Sequence, residues 1–459
     1  MKIVIGVDIG TTSISINLIE QTTGRVVKSA TYSNNSSMSS KDDFSDLQDP
    51  KVICEIVSKS LIEITREYDI SSIGITGQMH GIVYIDKDGN AVSPLYTWRD
   101  ACGNETCIQI DSNKSYWKVL SEQTGYAMAS GFGCTTFYYH TLTAQLPQKA
   151  VKFCTIQDYI VIKLVNKKSP VMHISNAASL GLFDLDKNCF DISVFDKVGL
   201  DPSFLPEVTK DNIIIGYYND NIPVSVAIGD NQASFLGSVR DMENSILINI
   251  GTGSQISFMT RETQNYLSME VRTLAEEYML QVGSSLCGGR ALAILETFFR
   301  KIAEVVVQDK IQSAYPGIDA CIEKIMMQNN YIDDKKGLKI STKFSGSRRN
   351  PEERGCIYNI STDNFTPENM IIGFLKGTIN ELYEMYQASG FEHSVLVGSG
   401  NGLRKNILLR KLLEETFGMK LYIPKHKEEA AYGAALYSLV CSGFYKNIRE
   451  VQKLIIYEE

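Results

Sequence analysis

Two stretches of the chain share one pattern of apolar and polar positions. The first is Ile3-Val4-Ile5-Gly6-Val7-Asp8-Ile9-Gly10-Thr11-Thr12-Ser13-Ile14-Ser15-Ile16, an apolar run that turns through polar residues and resumes as an alternating strand. That spacing predicts a hairpin whose tip carries one carboxylate, three hydroxyls and a backbone freed by glycine. The second is Ile246 to Ser257, in which Asn249 stands over Asp8 and Gly251-Thr252 over Gly10-Thr11. A strand–turn–strand repeated once per half predicts a duplicated domain with a cleft between two similar halves.

Elsewhere the pattern alternates between helical and strand periods, as in an α/β protein. Asp49-Pro50 predicts a helix start, followed by Val52, Ile53, Ile56, Val57, Leu61 and Ile64 at helical spacing. Ser72 to Thr76 reads as a buried strand leading into Gly77-Gln78-Met79-His80-Gly81. Asp86 to Asn90 is a hairpin turn, and the next strand ends at Thr97-Trp98-Arg99-Asp100. Gly125 to His140 and His173 to Leu185 are short segments that pass from polar or glycine-rich to apolar character. Val224 to Ala227 is a strand that leads through Gly229-Asp230 into a helix. Ser285 to Phe299 contains a Gly288-Gly289 break, Phe344 to Gly355 is a polar basic loop, and Thr366-Pro367 starts a long helix. Val395 to Val397 ends in Gly398-Ser399-Gly400-Asn401-Gly402. The last helix opens at Glu428 with small residues suited to close packing.

At 459 residues the chain exceeds one compact core, and the repeat divides it into 1–240 and 241–459. A net charge of −8 argues against a nucleic-acid surface. Ten cysteines without a C-x-x-C pair read as reduced thiols, not a disulfide or zinc framework. The N-terminus enters a strand without a secretory pattern, and no apolar run approaches the roughly 20 residues of a membrane span. The expectation is a cytoplasmic protein with no membrane or nucleic-acid partner, and the composition is compatible with a homodimer.

Several of these positions have chemistry to offer, each beside a plainer reading. The first hairpin tip can donate to phosphate oxygens while Asp8 holds hydrated Mg²⁺, or it is an ordinary polar turn. Only the first copy has the carboxylate, so only it can hold the metal. Gln78, Met79 and His80 fall at a strand end, where ligands sit in α/β sheets; otherwise the segment is a turn with a bonded histidine. Trp98 beside Arg99 and Asp100 suits a sugar, with ring against C–H faces and polar groups on hydroxyls; it also suits a core tryptophan beside a surface ion pair. Asp230 projects from a strand-to-helix turn as a candidate base, and a helix N-cap would use the same position. Gly398 to Gly402 is a glycine loop over which an adenine can lie. Leu403 replaces the third glycine of a dinucleotide fingerprint, and no P-loop pattern occurs.

Taken together and in this order, the two hairpins, Gly229-Asp230, the Gly398 to Gly402 loop and the helix from Glu428 resemble the FGGY carbohydrate kinases of the actin/hexokinase superfamily. The resemblance implies an α/β fold of two ribonuclease H-like domains with an interdomain cleft, sugar-binding in 1–240 and nucleotide-binding in 241–459. It implies transfer of the γ-phosphoryl of ATP, with Mg²⁺, to the terminal primary hydroxyl of a ketose. Asp230 would accept the hydroxyl proton, and Asp8 with Asp230 would hold the metal. Thr11, Thr12, Gly251 and Thr252 would hold phosphates, Gly400 and Asn401 would lie near the adenine, and closure of the cleft would exclude water. Gln78, Met79, His80, Trp98, Asp100 and Asp230 would line the sugar site.

Gly77 to Gly81 looks like the sugar loop of xylulokinases and sedoheptulokinases. Thr97 to Asp100, Gly131 to Thr136 and Phe344 to Gly355 look more like the sedoheptulokinase branch, which makes sedoheptulose the expected acceptor and xylulose the alternative. Two departures concern the sugar pocket. The family's arginine soon after Asp100 is absent, Ala101-Cys102 following instead, and Tyr138-Tyr139 replace an expected tryptophan. The competing class is a non-catalytic actin-like ATPase or sugar-sensing regulator. A transcriptional regulator of that kind would add a basic helix-turn-helix, which the chain lacks.

Overall fold

Strand β1 (Lys2–Ile9) buries Ile3, Val4, Ile5, Val7 and Ile9, so both of its faces are apolar. A strand with two apolar faces belongs in the middle of a sheet that is covered on both sides. In the computed structural model β1 is such a strand. It pairs antiparallel with β2 (Ser13–Glu20) and parallel with β4 (Asp69–Gly77). The structure describes residues 1–458 except 267–268, 329–335, 348–349 and 351. Within the expected basic loop Phe344 to Gly355, residues 348, 349 and 351 therefore lie outside the described residues.

Two compact units emerge. The first comprises Met1–Asp241, Arg272–Leu280 and Lys425–Ile456; the second comprises Met242–Val271, Gln281–Pro424 and the final residues from Tyr457 onward. The division is therefore not a single cut in the chain.

The first unit's main sheet runs β5-β6-β4-β1-β2-β3, where β3 is Val26–Ser33, β5 is Ile214–Tyr218 and β6 is Ile222–Ser225; β7 (Ile228–Gly229) also pairs with β4. β3, at the edge, is mostly polar and exposed. Asp49 caps the helix Pro50–Glu67 as expected, accepting from Lys51 N at 2.8 Å.

The helix Glu429–Cys441 lies on this sheet with almost no side chain between. A Cβ on Gly6 would fall 1.8 Å from Ala431 O, and one on Gly74 1.9 Å from Ala434 O. The same helix meets Asp230–Ser238 backbone to backbone, since a Cβ on Gly433 would fall 1.8 Å from Ala233 O. Close approach of this kind is available only to glycine.

A second sheet in this unit contains the antiparallel hairpin Ile82–Ile85 and Ala91–Tyr96. Its turn is closed by Asp86 Oδ1, which accepts from the N–H groups of Asp88 and Asn90, both at 2.9 Å. Ile82 pairs with Tyr96, which brings the Gly77 to Gly81 segment and the Thr97 to Asp100 segment to the same open end.

In the second unit β8 (Ser245–Ile250) pairs antiparallel with β9 (Ser254–Thr260) and parallel with β12 (Val395–Ser399), which pairs parallel with β13 (Lys420–Tyr422). With β10 (Met269–Thr273) and β11 (Met279–Ser285) the order is β10-β11-β9-β8-β12-β13. The central hairpin flanked by a parallel strand repeats the plan of the first unit, in line with the sequence repeat. Its core gathers Ile246, Ile248, Phe258, Phe374, Ile379 and Leu396. Both units are ribonuclease H-like α/β folds. All ten cysteines are free, and among the described residues no helix is long and apolar enough to cross a membrane.

Candidate active site

Three neighbouring strands of the first unit end level with one another. Ile9 pairs with Gly77, and Gly77 pairs with Gly229. Asp8, the Gln78–His80 segment and Asp230 therefore issue from one edge of the sheet, at the carboxyl ends of parallel strands, where α/β proteins bind ligands.

Gly229 occupies the N-cap position of the helix Asp230–Ser238, and Asp230 is its first residue. The capping alternative for Asp230 is thereby corrected: glycine's backbone takes that position and the carboxylate stays available. Burial pushes Asp230 up to about 6, against the pull of the Asn231 amide and the Arg272 guanidinium. Burial, then Asp230, then Glu428 push Asp8 up to about 8. Asp8 Oδ1 is sealed from solvent with no hydrogen-bond partner among the described residues. Two carboxylates, one of which raises the other's pKa and one with an orphaned oxygen, make an oxygen-only donor set that fits Mg²⁺, which keeps most of its waters and takes one or two carboxylates. No cluster of three or more His, Cys, Asp or Glu suited to a metal occurs among the described residues.

The hairpin tip is braced from several sides. Thr11 Oγ1 accepts from Trp98 Nε1 at 3.1 Å and donates to Gln78 Oε1 at 3.3 Å. Gln78 Nε2 donates to Gln48 Oε1 at 2.9 Å, and Gln48 Nε2 donates to Thr11 O at 2.7 Å. Asn34 N donates to Thr12 O at 3.0 Å, while its side chain donates to Gly10 O at 2.8 Å. Thr12 itself is exposed. Gln48 and Asn34 were not legible as site residues, because nothing in their local sequence marks a contact with the tip.

Met79 is buried against Gly229, and a Cβ there would meet its sulfur at 2.8 Å. His80 adopts a left-handed backbone with φ 72° and stacks on Phe132 at 4.8 Å between centroids. Trp98 is 46% exposed, with the Arg99 guanidinium 5.1 Å from its ring. Gly131 abuts the Trp98 backbone, where a Cβ would fall 1.9 Å from its carbonyl oxygen. Asp100 differs from the others: it is only 2% exposed, and its oxygens accept from Cys102 N at 3.1 Å and Asp46 N at 3.3 Å. Tyr138 and Tyr139 are buried, packing edge-on against Tyr116.

In the second unit Gly251, Thr252, Gly400 and Asn401 line one cavity of about 1440 Å³. Gly400, at φ 88°, caps the short helix Asn401–Lys405, so the glycine loop is briefer than its composition suggests. The Gly288-Gly289 break lies directly on the β8–β9 turn: Gly288 N donates to Thr252 O at 3.1 Å and Gly289 N to Gly251 O at 2.8 Å. Arg290, Tyr315 and Asp319 complete one side and Phe374 and Thr378 another. Amide-rich turns beside apolar walls suit a phosphate chain and a base.

Known proteins resemble this chain in sequence and in fold. Residues 3–237 match the N-terminal domain model of the FGGY family of carbohydrate kinases. The chain is 24% identical to the sedoheptulokinase of Mus musculus over 95% of this chain and 97% of that protein. It is 25% identical to a glycerol kinase of Saccharolobus islandicus over 88% of this chain and 82% of that one. In structure it is similar to the ligand-bound xylulose kinase of Lactobacillus acidophilus, with TM-score 0.82 and 17% identity over 100% of this chain and 93% of that one.

Proposed function

Given that this chain belongs to the FGGY family of carbohydrate kinases, phosphotransferases that act on an alcohol group, we propose that its acceptor is a ketose, sedoheptulose first, phosphorylated on the terminal primary hydroxyl. The observation that carries this reading is the level ending of β1, β4 and β7, which presents Asp8, His80 and Asp230 along one edge. The mouse sedoheptulokinase likeness supports the choice of acceptor.

In this reading Gln78, Met79, His80 and Trp98 hold the sugar, and Asp230 accepts the hydroxyl proton. A carboxylate is a weak base, but phosphoryl transfer passes through a loose transition state in which the proton leaves late. Asp100 contributes by fixing the Thr97–Cys102 turn, its carboxylate accepting from Cys102 N and Asp46 N. ATP occupies the second unit's cavity, its phosphates at Gly251-Thr252 and its base near Gly400-Asn401. Thr11 and Thr12 are the first unit's own candidate phosphate donors. Asp8 with Asp230 holds Mg²⁺, which when bound neutralises charge on the phosphates.

Coupled ADP release over sedoheptulose, xylulose, ribulose, fructose and glycerol tests the acceptor. The highest kcat/KM is expected for sedoheptulose. A preference for xylulose would replace the sugar and keep the ketose class; a preference for glycerol would overturn that class. Asp230→Ala should abolish turnover while leaving ATP affinity nearly unchanged, and more than a few per cent of residual turnover would remove Asp230 from its role.

A further inference from the structure

The segment from His173 to Ser179 places four polar side chains in the first unit's interior. His173, Ser175, Asn176 and Ser179 are all buried, a costly arrangement unless their hydrogen bonds are made. Those bonds run to two places. Towards the sugar loop, His80 N donates to Ser179 Oγ at 3.2 Å, Ser179 Oγ donates to Asn176 O at 2.7 Å, and His80 Nδ1 lies 2.6 Å from Ser179 O. A carbonyl only accepts, so the proton of a neutral His80 sits on Nδ1. Towards the Asp230 turn, Gly229 N donates to Ser175 Oγ at 3.2 Å, and Asn176 Nδ2 donates to Ala227 O at 3.2 Å. Ser175 Oγ is itself held by His173 Nδ1 at 2.8 Å. Gln157 Nε2 joins the two sides, donating to Asn176 Oδ1 at 2.9 Å and to Gly77 O at 3.3 Å.

We propose that Ser179 and Ser175 are positioning residues of this kinase: Ser179 holds His80 in its left-handed conformation and fixed tautomer facing the sugar, and Ser175 holds the Gly229-Asp230 turn facing the reacting hydroxyl. A non-glycine residue at φ 72° persists only where its surroundings over-determine it, and Ser179 together with the Phe132 stack supplies that constraint. The proposal rests on the reading that His80 and Asp230 meet the sugar.

Two signatures separate positioning from mere packing. Ser179→Ala should raise the sugar KM about tenfold, the worth of one buried hydrogen bond, while the ATP KM stays unchanged, and Ser179→Thr, which keeps the hydroxyl, should recover most of the loss. Ser175→Ala should lower kcat about tenfold with the sugar KM unchanged. Sugar and ATP KM values rising together, or folded variants with unchanged constants, would overturn the proposal. A measurement on the unaltered chain keeps it testable if these variants fail to fold. In ¹⁵N-histidine spectra at pH 8, the signal lost in His80→Gln should show a protonated Nδ1, and a protonated Nε2 there would overturn it. Failure of the unaltered chain to phosphorylate any ketose would count against the acceptor reading instead, because the tautomer measurement needs no substrate.

Discussion

The indole N–H of Trp98 donates to Thr11 Oγ1 at 3.1 Å, so one hydroxyl joins the aromatic side of the proposed sugar pocket to the first hairpin tip. Through Gln78 and Gln48 the bonds return to the Thr11 carbonyl and close a ring. Residues assigned to separate substrates therefore share one network, in which each bond restrains the next. Thr11→Val preserves shape and removes both side-chain bonds. It should lower kcat/KM for sugar and for ATP, each by about tenfold, the worth of about one hydrogen bond to each. Steady-state kinetics with both substrates varied would show it, and a change confined to ATP would mean that the ring does not couple them.

Gly6 should tolerate no side chain. With the Ala431 carbonyl 1.8 Å from its would-be Cβ, Gly6→Ala must move backbone against backbone, at a cost of about 3 kcal/mol or more. Gly317 is the internal control. Among the described residues nothing lies within 4 Å of a Cβ there, in the helix Tyr315–Gln328, so Gly317→Ala should stabilise by about 0.5–1 kcal/mol. Urea unfolding of the pair reads both signs, and an unchanged midpoint for Gly6→Ala would contradict the packing.

Gly400 combines φ 88° with a would-be Cβ only 2.6 Å from Ile250 O. Gly400→Ala should strain the turn between β12 and its helix and weaken ATP binding about tenfold or more by calorimetry, since backbone strain of this kind costs roughly 1–3 kcal/mol. Sugar affinity should stay as it was. Equal weakening of both ligands would point to general unfolding of the second unit.

Asp158 makes one contribution of definite sign to the pH dependence of stability. Burial pushes its carboxyl up to about 7, while Thr155 Oγ1 donates to Oδ2 at 2.5 Å. Asp158 in the folded chain therefore holds a proton that it releases near pH 4 when unfolded, and its contribution to stability falls as pH rises from there to about 7. Asp158→Asn keeps an acceptor for Thr155 and stays neutral. Its Tm advantage over the unaltered chain should be larger at pH 8 than at pH 5, and an equal difference at both values would show that Asp158 does not titrate in this window.

What the sequence made legible was local. The hairpins at Asp8 and Asn249 announce themselves through period-two apolar spacing and a Gly-Thr turn, and Asp49-Pro50 announces a helix start; all three formed where expected. Packing between distant segments was not legible. Gly6, Gly74 and Gly433 do not stand out one by one; only the fold sets the first two against the helix Glu429–Cys441 and Gly433, within it, against Asp230–Ser238. No spacing rule reveals that Asp100 is buried and accepts from the backbone of Asp46 and Cys102. Gly288-Gly289 was visible as a break, but its bonds to the β8–β9 turn arise from folding alone. The His173 to Leu185 segment showed its polar-to-apolar character without showing that it reaches His80 on one side and Gly229 on the other.

The helix Glu429–Cys441 also has a bearing on how the protein is made. Asn17 donates to the carbonyl of Glu428 at 3.0 Å across 411 residues of chain. During translation β1 and β4 leave the ribosome long before the helix that covers them. The nascent first unit must wait, with that face of its sheet bare, until the second unit has been synthesised. A contact so distant in sequence delays completion of a fold and lengthens its exposure to aggregation. The second unit, contained between Met242 and Pro424 apart from the Arg272–Leu280 hairpin and the last few residues, is therefore placed to fold ahead of the unit whose synthesis began first.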